Sequence, residues 1–225
     1  MSDVELRIED DPAGAVAHEL ARAAGEGGNV AVSGGSSPRP AYERAAALAP
    51  DWSRIDLWWA DDRCVPAHDP RSNYRLVRET LLDGLSRPPA VHRVRGELAP
   101  DEAAAAYDQE IRGVRLDLAL LGIGPDGHTA SLFPGSHALE EAERAAVAAG
   151  AGLEPFVPRV TLTVPMLSAA RFVVFLVTGE DKAVAVARAF EGEPDPATPA
   201  SLVRSAEGRT VAVLDAAAAS RLELK

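Results

Sequence analysis

Residues 116–135 read LDLALLGIGPDGHTASLFPG, and this stretch decides both the fold class and the place of the chemistry. Its first six residues, 116–121, form an apolar run typical of a strand buried on both faces of a parallel sheet. The strand must end there, because the glycines and the proline of 122–127 require a tight, irregular turn. That turn places Asp126 and His128 at the carboxyl end of a strand, which is the edge where open α/β sheets bind ligands.

The same turn, GIGPDG, also fits the dinucleotide fingerprint G-x-G-x-x-G. A pyrophosphate needs free backbone N–H groups at a helix N-terminus. Pro125 removes one donor, and Asp126 puts a negative charge where the phosphates would lie. About 20 residues further on, where a second strand should end in a ribose-binding acid, residues 137–150 are rich in Ala and Glu. These features argue against a nucleotide site. The other alternative is that His128 is an ordinary turn histidine without a function. The nearby Asp126, and the glycines that leave room around the ring, argue against that.

The composition is that of an ordinary globular chain. The chain has 225 residues, 47% of them hydrophobic and 25% charged, which predicts one domain over residues 1–225. A net charge of -11 argues against nucleic acid or an anionic membrane as partner, but local cations can still bind a small anion. Cys64 is the only cysteine, which excludes an intrachain disulfide and a Cys-based metal cluster. Residues 1–5 do not resemble a signal peptide, so we expect a cytoplasmic protein, as a monomer or weak homo-oligomer.

Strand-like and helix-like segments alternate along the chain, which predicts a mostly parallel, doubly wound sheet with helices on both faces. We expect strands at 4–8, 29–33, 55–60, 116–121, 159–164, 171–177 and 210–214. The strand at 159–164 alternates as a half-exposed strand does. We expect helices at 12–24, 41–48, 73–82, 101–111, 137–149, 182–190 and in the Ala-rich segment up to residue 225. The histidines at positions 68 and 92 lie in polar, loop-like segments and are expected at the surface.

Polar or glycine-rich residues follow four of these strands. Gly34-Gly35-Ser36-Ser37 precedes a helix, so it is a candidate anion cradle, although a purely structural turn is an equally good interpretation. Asp61-Asp62-Arg63 ends another strand, where a surface ion pair is the alternative. Lys182 follows a third strand and is one of only two lysines among 23 cationic residues. Its presence indicates that a compact ammonium group is needed at this strand end; a solvated lysine at the start of a helix is the alternative. If the strands are parallel, these ends and the His128 turn meet at one edge.

Five motifs together resemble the 6-phosphogluconolactonase family, and they cover nearly the full chain in the family's order. They are SGGSSP at 33–38, WADDR at 59–63, SNY at 72–74, GIGPDGHTASLFP at 122–134 and PRVTLT at 158–163. The DGHTASLFP block is the most specific of them. The resemblance implies hydrolysis of 6-phospho-D-glucono-1,5-lactone to 6-phospho-D-gluconate, the second step of the oxidative pentose phosphate pathway, without a metal or an organic cofactor.

The resemblance also implies roles for individual residues. It makes His128 the base, with Asp126 beside it and Arg63 as a further catalytic group. It places the phosphate and the rest of the substrate against Gly34, Gly35, Ser36, Ser37, Arg159, Lys182 and Asp61. One departure is visible, because Asp62 stands where the family's pattern has Glu, and its role stays open.

The chemistry of a lactone agrees with these roles. Water must lose a proton as it attacks the carbonyl carbon, and negative charge grows on the carbonyl oxygen. A histidine side chain, with an ordinary pKa of about 6.5, suits the first task near neutral pH. Backbone N–H groups of the glycine turn, or Arg63, suit the second task. The sequence leaves open which nitrogen of His128 faces Asp126.

Two alternative functions remain. Amino-sugar-phosphate isomerases and deaminases are similar in the Gly/Ser turn and the Asp-Gly-His block. They carry Asn-Glu-Pro a few residues after the histidine, where this chain has Leu132-Phe133-Pro134, so a ring-opening carboxylate is missing. A non-catalytic sugar-phosphate-binding module would keep the cradle but would not need His128 and Asp126 together.

Overall fold

The computed structural model describes residues 4–152 and 154–223, which fold around two β-sheets. The strands in chain order are β1 (Val4–Ile8), β2 (Gly28–Val32), β3 (Ile55–Trp59), β4 (Asp61–Arg63), β5 (Ala90–His92), β6 (Leu118–Leu121), β7 (Ala146–Ala149), β8 (Arg159–Leu162), β9 (Phe172–Val177) and β10 (Arg209–Leu214). Seven of them form a parallel sheet in the order β1-β10-β9-β6-β2-β3-β5. The other three form an antiparallel sheet in the order β4-β8-β7.

The α-helices are α1 (Pro12–Glu26), α2 (Arg39–Leu48), α3 (Asn73–Thr80), α4 (Pro100–Ile111), α5 (Val164–Ser168) and α6 (Ala183–Phe190). Short 3₁₀ helices lie at 82–84, 137–140, 180–182 and 199–202. Two helices begin at a side-chain cap: the Asp11 side chain accepts a hydrogen bond from the Gly14 N–H, and the Ser72 hydroxyl accepts one from the Arg75 N–H.

The parallel sheet is covered by helices on both faces. Along β2, Val30 and Val32 pack into one core with α1 and α2, whereas Ala31 belongs to a second core with α4 and α6. Successive side chains of a strand point to opposite faces, so a strand buried on both sides supplies residues to both cores. The predicted fold class, a mostly parallel, doubly wound α/β domain, is confirmed.

The order of the strands explains where a ligand can bind. β3 lies on one side of β2 and β6 lies on the other, so the winding of the sheet reverses at β2. Such a reversal leaves a crevice at the carboxyl ends of the adjacent strands. In the ranges that the structure describes, every helix is too short or too polar to span a bilayer.

The helix predicted at 137–149 is wrong. A 3₁₀ turn covers His137–Glu140, and Ala146–Ala149 is strand β7, paired with β8. The buried carboxylate of Asp108 accepts hydrogen bonds from the N–H groups of Ala145, at 2.7 Å, and Ala146, at 3.4 Å. These bonds and the ladder to β8 satisfy the backbone in an extended form, and tertiary pairing overrides the helix propensity of alanine.

Two smaller predictions also fail, and the surface position predicted for His92 holds only in part, since its side chain is 24% exposed. Residues 216–221 form turns instead of a helix, because the Asp215 carboxylate binds the N–H groups of Ala218 and Gly179; residues 224–225 lie outside the described residues. All four residues of β8 are buried, since it lies between β4 and β7. His68 is exposed as expected, but His92 ends β5 and stacks on Trp58 at 4.0 Å.

Candidate active site

A cleft of about 220 Å³ opens at the carboxyl ends of β2, β3, β6 and β9. Every predicted site residue lines it except Asp126, which lies behind the His128 ring. The four polar strand ends that the sequence singled out therefore meet, as the parallel arrangement requires. Ser36 and His128, which are far apart in the chain, line the same cleft.

His128 is held by its neighbour two residues earlier. Its Nδ1 lies 2.5 Å from Oδ1 of Asp126, and the same oxygen accepts the backbone N–H of His128 at 3.1 Å. Burial is the largest influence and raises the pKa of Asp126, but the hydrogen bonds to the ring and backbone of His128 and the histidine charge together outweigh it, so the pKa of Asp126 is lowered. An ionised carboxylate only accepts hydrogen bonds, so Nδ1 is the donor. Nε2 is then the nitrogen left for a substrate.

The glycines of the turn make room for this ring. A Cβ atom on Gly124 would lie 2.0 Å from Cε1 of His128 and 2.1 Å from its Nδ1. The turn closes through the Gly124 N–H, which donates to the His128 carbonyl at 2.9 Å. Position 124 therefore admits only glycine while the imidazole keeps this orientation.

Phe133 packs against the same ring. Its centroid lies 4.7 Å from that of His128, and the guanidinium carbon of Arg159 lies 5.3 Å from the centroid of the Phe133 ring. Phe133 is 5% exposed. The sequence marked this position only for the carboxylate it lacks, whereas the structure shows an aromatic support shared by the histidine and an arginine.

The antiparallel sheet supplies two of the three cations. In the register of β4 with β8, Arg63 is the direct partner of Arg159. Burial lowers the pKa of Arg159. The neighbouring negative charge of Asp61 acts in the opposite direction but does not cancel the effect of burial. The sequence did not predict β4, because three polar residues, DDR, carry no strand signal.

Asp61 and Asp62 alternate in direction along β4. The Asp61 carboxylate accepts a hydrogen bond from the Ser131 hydroxyl at 2.6 Å and lies in the cleft wall. The Asp62 carboxylate instead accepts the N–H groups of Asn73, at 2.6 Å, and Tyr74, at 3.0 Å. Burial raises the pKa of Asp62 to about 6, although these hydrogen bonds lower it. Asp62 therefore caps α3 and takes no part in the cleft, which answers the question that the sequence left open.

The Gly/Ser turn forms the opposite wall of the cleft. Gly35 has a φ of 102°, in the region that favours glycine, and the turn leads directly into α2. The Ser37 hydroxyl lies 2.9 Å from that of Thr178, which joins this turn to the end of β9. Beyond β9, the Lys182 ammonium lies 2.9 Å from the Asp181 carboxylate, and its side chain is 23% exposed. The turn, the start of α2 and Lys182 offer N–H, hydroxyl and ammonium donors to an anion.

Asn73 also lines the cleft, although no role was predicted for it from the sequence. It lies in the motif Ser72-Asn73-Tyr74, and the only local signal is the capping serine before it. Within the described residues, no group of three or more His, Cys, Asp or Glu side chains is arranged to hold a metal ion.

The sequence profile described as glucosamine-6-phosphate isomerases/6-phosphogluconolactonase matches residues 8–212. The chain belongs to this family. The resemblance noted from the five motifs is thus confirmed, and the family's sequence match spans the cleft from the Gly/Ser turn to Lys182.

Individual members of the glucosamine-6-phosphate isomerase/6-phosphogluconolactonase family are similar over most of the chain. The 6-phosphogluconolactonase of Streptomyces coelicolor is 40% identical over 188 residues, which is 76% of this chain and 72% of the relative. The crystal structure of 6-phosphogluconolactonase from Thermotoga maritima has a TM-score of 0.83 and 32% identity, and the match covers 96% of this chain and 100% of that one. A monomeric glucosamine-6-phosphate deaminase has a TM-score of 0.83 at 18% identity, over 98% of this chain and 100% of that chain, and so shares the fold.

Proposed function

We propose that this chain hydrolyses 6-phospho-D-glucono-1,5-lactone to 6-phospho-D-gluconate in the oxidative pentose phosphate pathway. The observation that carries the proposal is a single cleft in which the His128–Asp126 pair faces a Gly/Ser turn and the cations Arg63, Arg159 and Lys182. A substrate with an ester at one end and a phosphate at the other fits such a cleft. Relatives that carry the name 6-phosphogluconolactonase at 40% and 32% identity support this substrate.

His128 acts as the general base in this proposal. Asp126 accepts a hydrogen bond from the Nδ1–H group, so the lone pair of the neutral ring is at Nε2. Nε2 takes a proton from water as the water oxygen attacks the carbonyl carbon C1. The tetrahedral adduct collapses by breaking the bond from C1 to the ring oxygen, and the imidazolium returns its proton to that oxygen. One water is consumed, and an open-chain carboxylic acid and a hydroxyl result; the acid then ionises to the carboxylate and releases one proton to solvent.

The cations divide the remaining work. Arg63 borders the cleft on β4 and is placed to stabilise the negative charge that grows on the carbonyl oxygen. The Gly34–Ser37 turn, Arg159 and Lys182 hold the remote phosphate, through N–H groups, hydroxyls and positive charges. Fixing the phosphate places C1 near His128, so binding energy far from the ester contributes to the rate.

The fold alone does not separate a lactonase from a deaminase, because a deaminase matches it with a TM-score of 0.83. The side chain at position 133 does separate them. A deaminase needs a ring-opening carboxylate shortly after the histidine, and here Phe133 is buried against the His128 ring at 4.7 Å. The cleft therefore favours hydrolysis over amine release.

The test is an assay with freshly generated 6-phosphogluconolactone, in which acid release is followed and the spontaneous rate is subtracted. We expect turnover by the native chain, loss of turnover in His128→Asn, and no ammonia from glucosamine 6-phosphate. Ammonia release would establish a deaminase instead. Saturable binding of 6-phosphogluconate without turnover of the lactone would establish a binding module.

The other properties of the protein rest on its sequence. We propose that residues 1–225 act as one cytoplasmic domain without a cofactor, that it has no nucleic-acid or membrane partner, and that it is a monomer or weak homo-oligomer. The net charge of -11 supports the absence of polyanionic partners.

A further inference from the structure

Asn73, the first residue of α3, lies between the acidic residue Asp61 and the guanidinium of Arg63 at the wall of the cleft. Its Nδ2 donates to the carbonyl of Asp61 at 2.9 Å and to Oδ1 of Asp61 at 3.2 Å. Its Oδ1 accepts from Nη1 of Arg63 at 2.5 Å. Asn73 is 2% exposed; its bonds to Asp61 are buried, and its bond to Arg63 is partly buried.

The partners leave the amide a single orientation. Both Asp61 atoms are acceptors and therefore require the NH₂ end, whereas the guanidinium only donates and requires the oxygen. A carboxylate at position 73 would turn an acceptor toward Asp61, and an apolar side chain would remove the amide donor from Asp61 and one of the two acceptors of Arg63 Nη1. The site thus requires a donor on one side and an acceptor on the other.

This amide belongs to a longer chain of hydrogen bonds. The Ser131 hydroxyl donates to Oδ2 of Asp61 at 2.6 Å, and Ser131 is fully buried. Ser131 lies three residues after His128. The chain Ser131–Asp61–Asn73–Arg63 therefore connects the segment that carries the imidazole to the guanidinium on β4.

Arg63 needs such an anchor because of its neighbour. It pairs directly with Arg159 across the two strands, so like charges face each other at this wall. Nη1 of Arg63 has a second acceptor in the Arg71 carbonyl at 2.8 Å, and both acceptors hold the guanidinium from the α3 side. The Gly/Ser turn closes over the amide, since a Cβ on Gly34 would lie 1.8 Å from Oδ1 of Asn73.

We propose that Asn73 is a positioning residue that fixes the Arg63 guanidinium for the substrate, and that Asp61 acts by orienting Asn73. The proposal rests on the proposed lactonase function. In this proposal Asp61 lies in the wall that holds Arg63. The negatively charged carboxylate of Asp61 accepts the hydrogen bond of the Asn73 amide and does not face the substrate phosphate.

A double-mutant cycle with Asn73→Ala and Arg63→Ala tests the proposal. Alone, Asn73→Ala should lower kcat/KM about 10²-fold, which is typical of a misplaced catalytic group. In the Arg63→Ala background the same change should lower kcat/KM less than about threefold, because its effect passes through the guanidinium. An equal loss in both backgrounds would show that Asn73 acts independently of Arg63 and would overturn the proposal.

Two further variants separate positioning from folding. Ser72→Ala removes the hydroxyl that caps the Arg75 N–H of the same helix, whereas the Asp62 cap remains, so the melting temperature should fall while kcat/KM stays within about twofold of the native value. Asn73→Asp keeps the shape and the acceptor but sets a carboxylate against Asp61, so kcat/KM should still fall at least about tenfold. Native kcat/KM in Asn73→Asp would remove the requirement for an amide.

Different measurements test this proposal and the lactonase function, so either can fail without the other. If the native chain does not turn over the lactone, the proposed function is wrong, and the cycle is measured as Kd for 6-phosphogluconate by calorimetry. Coupling between the two substitutions in Kd would still support Asn73 as the anchor of Arg63, and additive losses would still overturn it.

Discussion

At the scale of single residues, the imidazole of His128 is fixed on three sides. Asp126 binds its Nδ1, Phe133 packs against its ring, and the absent side chain of Gly124 leaves room for Cε1. A general base must lie within hydrogen-bond reach of the proton that it takes, and this packing sets the position before any substrate binds. The pair works as a unit, because a carboxylate at Nδ1 selects the tautomer with a free Nε2.

Replacing the base should abolish most of the catalysis. In His128→Asn we expect kcat to fall roughly 10²- to 10⁴-fold, the usual contribution of a positioned base, with little change in the affinity for 6-phosphogluconate. Initial rates with fresh lactone and a binding titration with the product provide the two measurements. Near-native kcat in this variant would remove His128 from the mechanism.

Gly124→Ala should harm the enzyme without unfolding it. The added methyl group would lie 2.0 Å from Cε1 of His128, so the ring must move, and kcat should fall about 10²-fold. Gly25→Ala is the matched control, since no atom lies within 4 Å of a Cβ added there, in the exposed part of α1. Circular dichroism should be native for both variants. Full activity in Gly124→Ala would show that the ring position is not critical.

At the scale of secondary-structure elements, the side chain of His92 adds to the backbone pairing that joins the short edge strand β5 to β3. His92 stacks on Trp58 of β3, its Nε2 lies 2.8 Å from Asp56, and its Nδ1 lies 2.7 Å from Glu110 of α4. Both partners are carboxylates, so both ring nitrogens donate only when the imidazole is protonated. Burial lowers the pKa of His92, but the hydrogen bonds to Glu110 and Asp56 outweigh it, and the net pKa is raised.

This arrangement predicts a pH-dependent stability. A raised histidine pKa stabilises the folded state fully below the ordinary value of about 6.5, and the contribution is lost as the pH rises through the raised pKa. The loss should be about 0.5–1 kcal/mol, because the pairs are near the surface. Urea unfolding of the native chain and of His92→Gln between pH 6 and pH 9 measures it. A difference between the two proteins that does not shrink with rising pH would contradict the prediction.

At the scale of the whole molecule, the cleft exists because four loops meet at the carboxyl edge of one sheet. The Gly/Ser turn follows β2, the acidic pair and Arg63 follow β3, the His128 turn follows β6, and Lys182 follows β9. These strands are adjacent in the order β9-β6-β2-β3. Phosphate recognition and ester chemistry are therefore joined by sheet topology, and neither end of the substrate is bound by one continuous segment.

The phosphate should accordingly contribute to the rate as well as to binding. We expect the unphosphorylated gluconolactone to have a kcat/KM lower by about 10²-fold or more, since charge-assisted hydrogen bonds contribute about 1.5–3 kcal/mol each. The comparison requires both lactones in the same acid-release assay. Equal kcat/KM for the two would contradict the assignment of the Gly34–Ser37 turn and Lys182 to the phosphate.

The sequence by itself determined the parallel sheet, the family and the set of strand ends that carry the chemistry. Apolar runs that stop at glycine or at charged residues report local burial and local turns, and these depend on neighbouring residues in the chain. The positions of Ser36 and His128 in one cleft follow from that alternation, because parallel strands bring their carboxyl ends to the same edge.

Only the tertiary structure decided which atoms meet. It turned Ala146–Ala149 into a strand, gave Asp62 to the start of α3, set Nδ1 of His128 against Asp126, and joined Asn73 to both Asp61 and Arg63. Except for the neighbouring pair Asp126 and His128, whose contacting nitrogen alone was left open, each of these depends on a hydrogen-bond partner distant in the chain, and local sequence patterns carry no information about such a partner. A buried polar group is satisfied by whatever the fold brings to it, and this decided the detailed chemistry of the cleft.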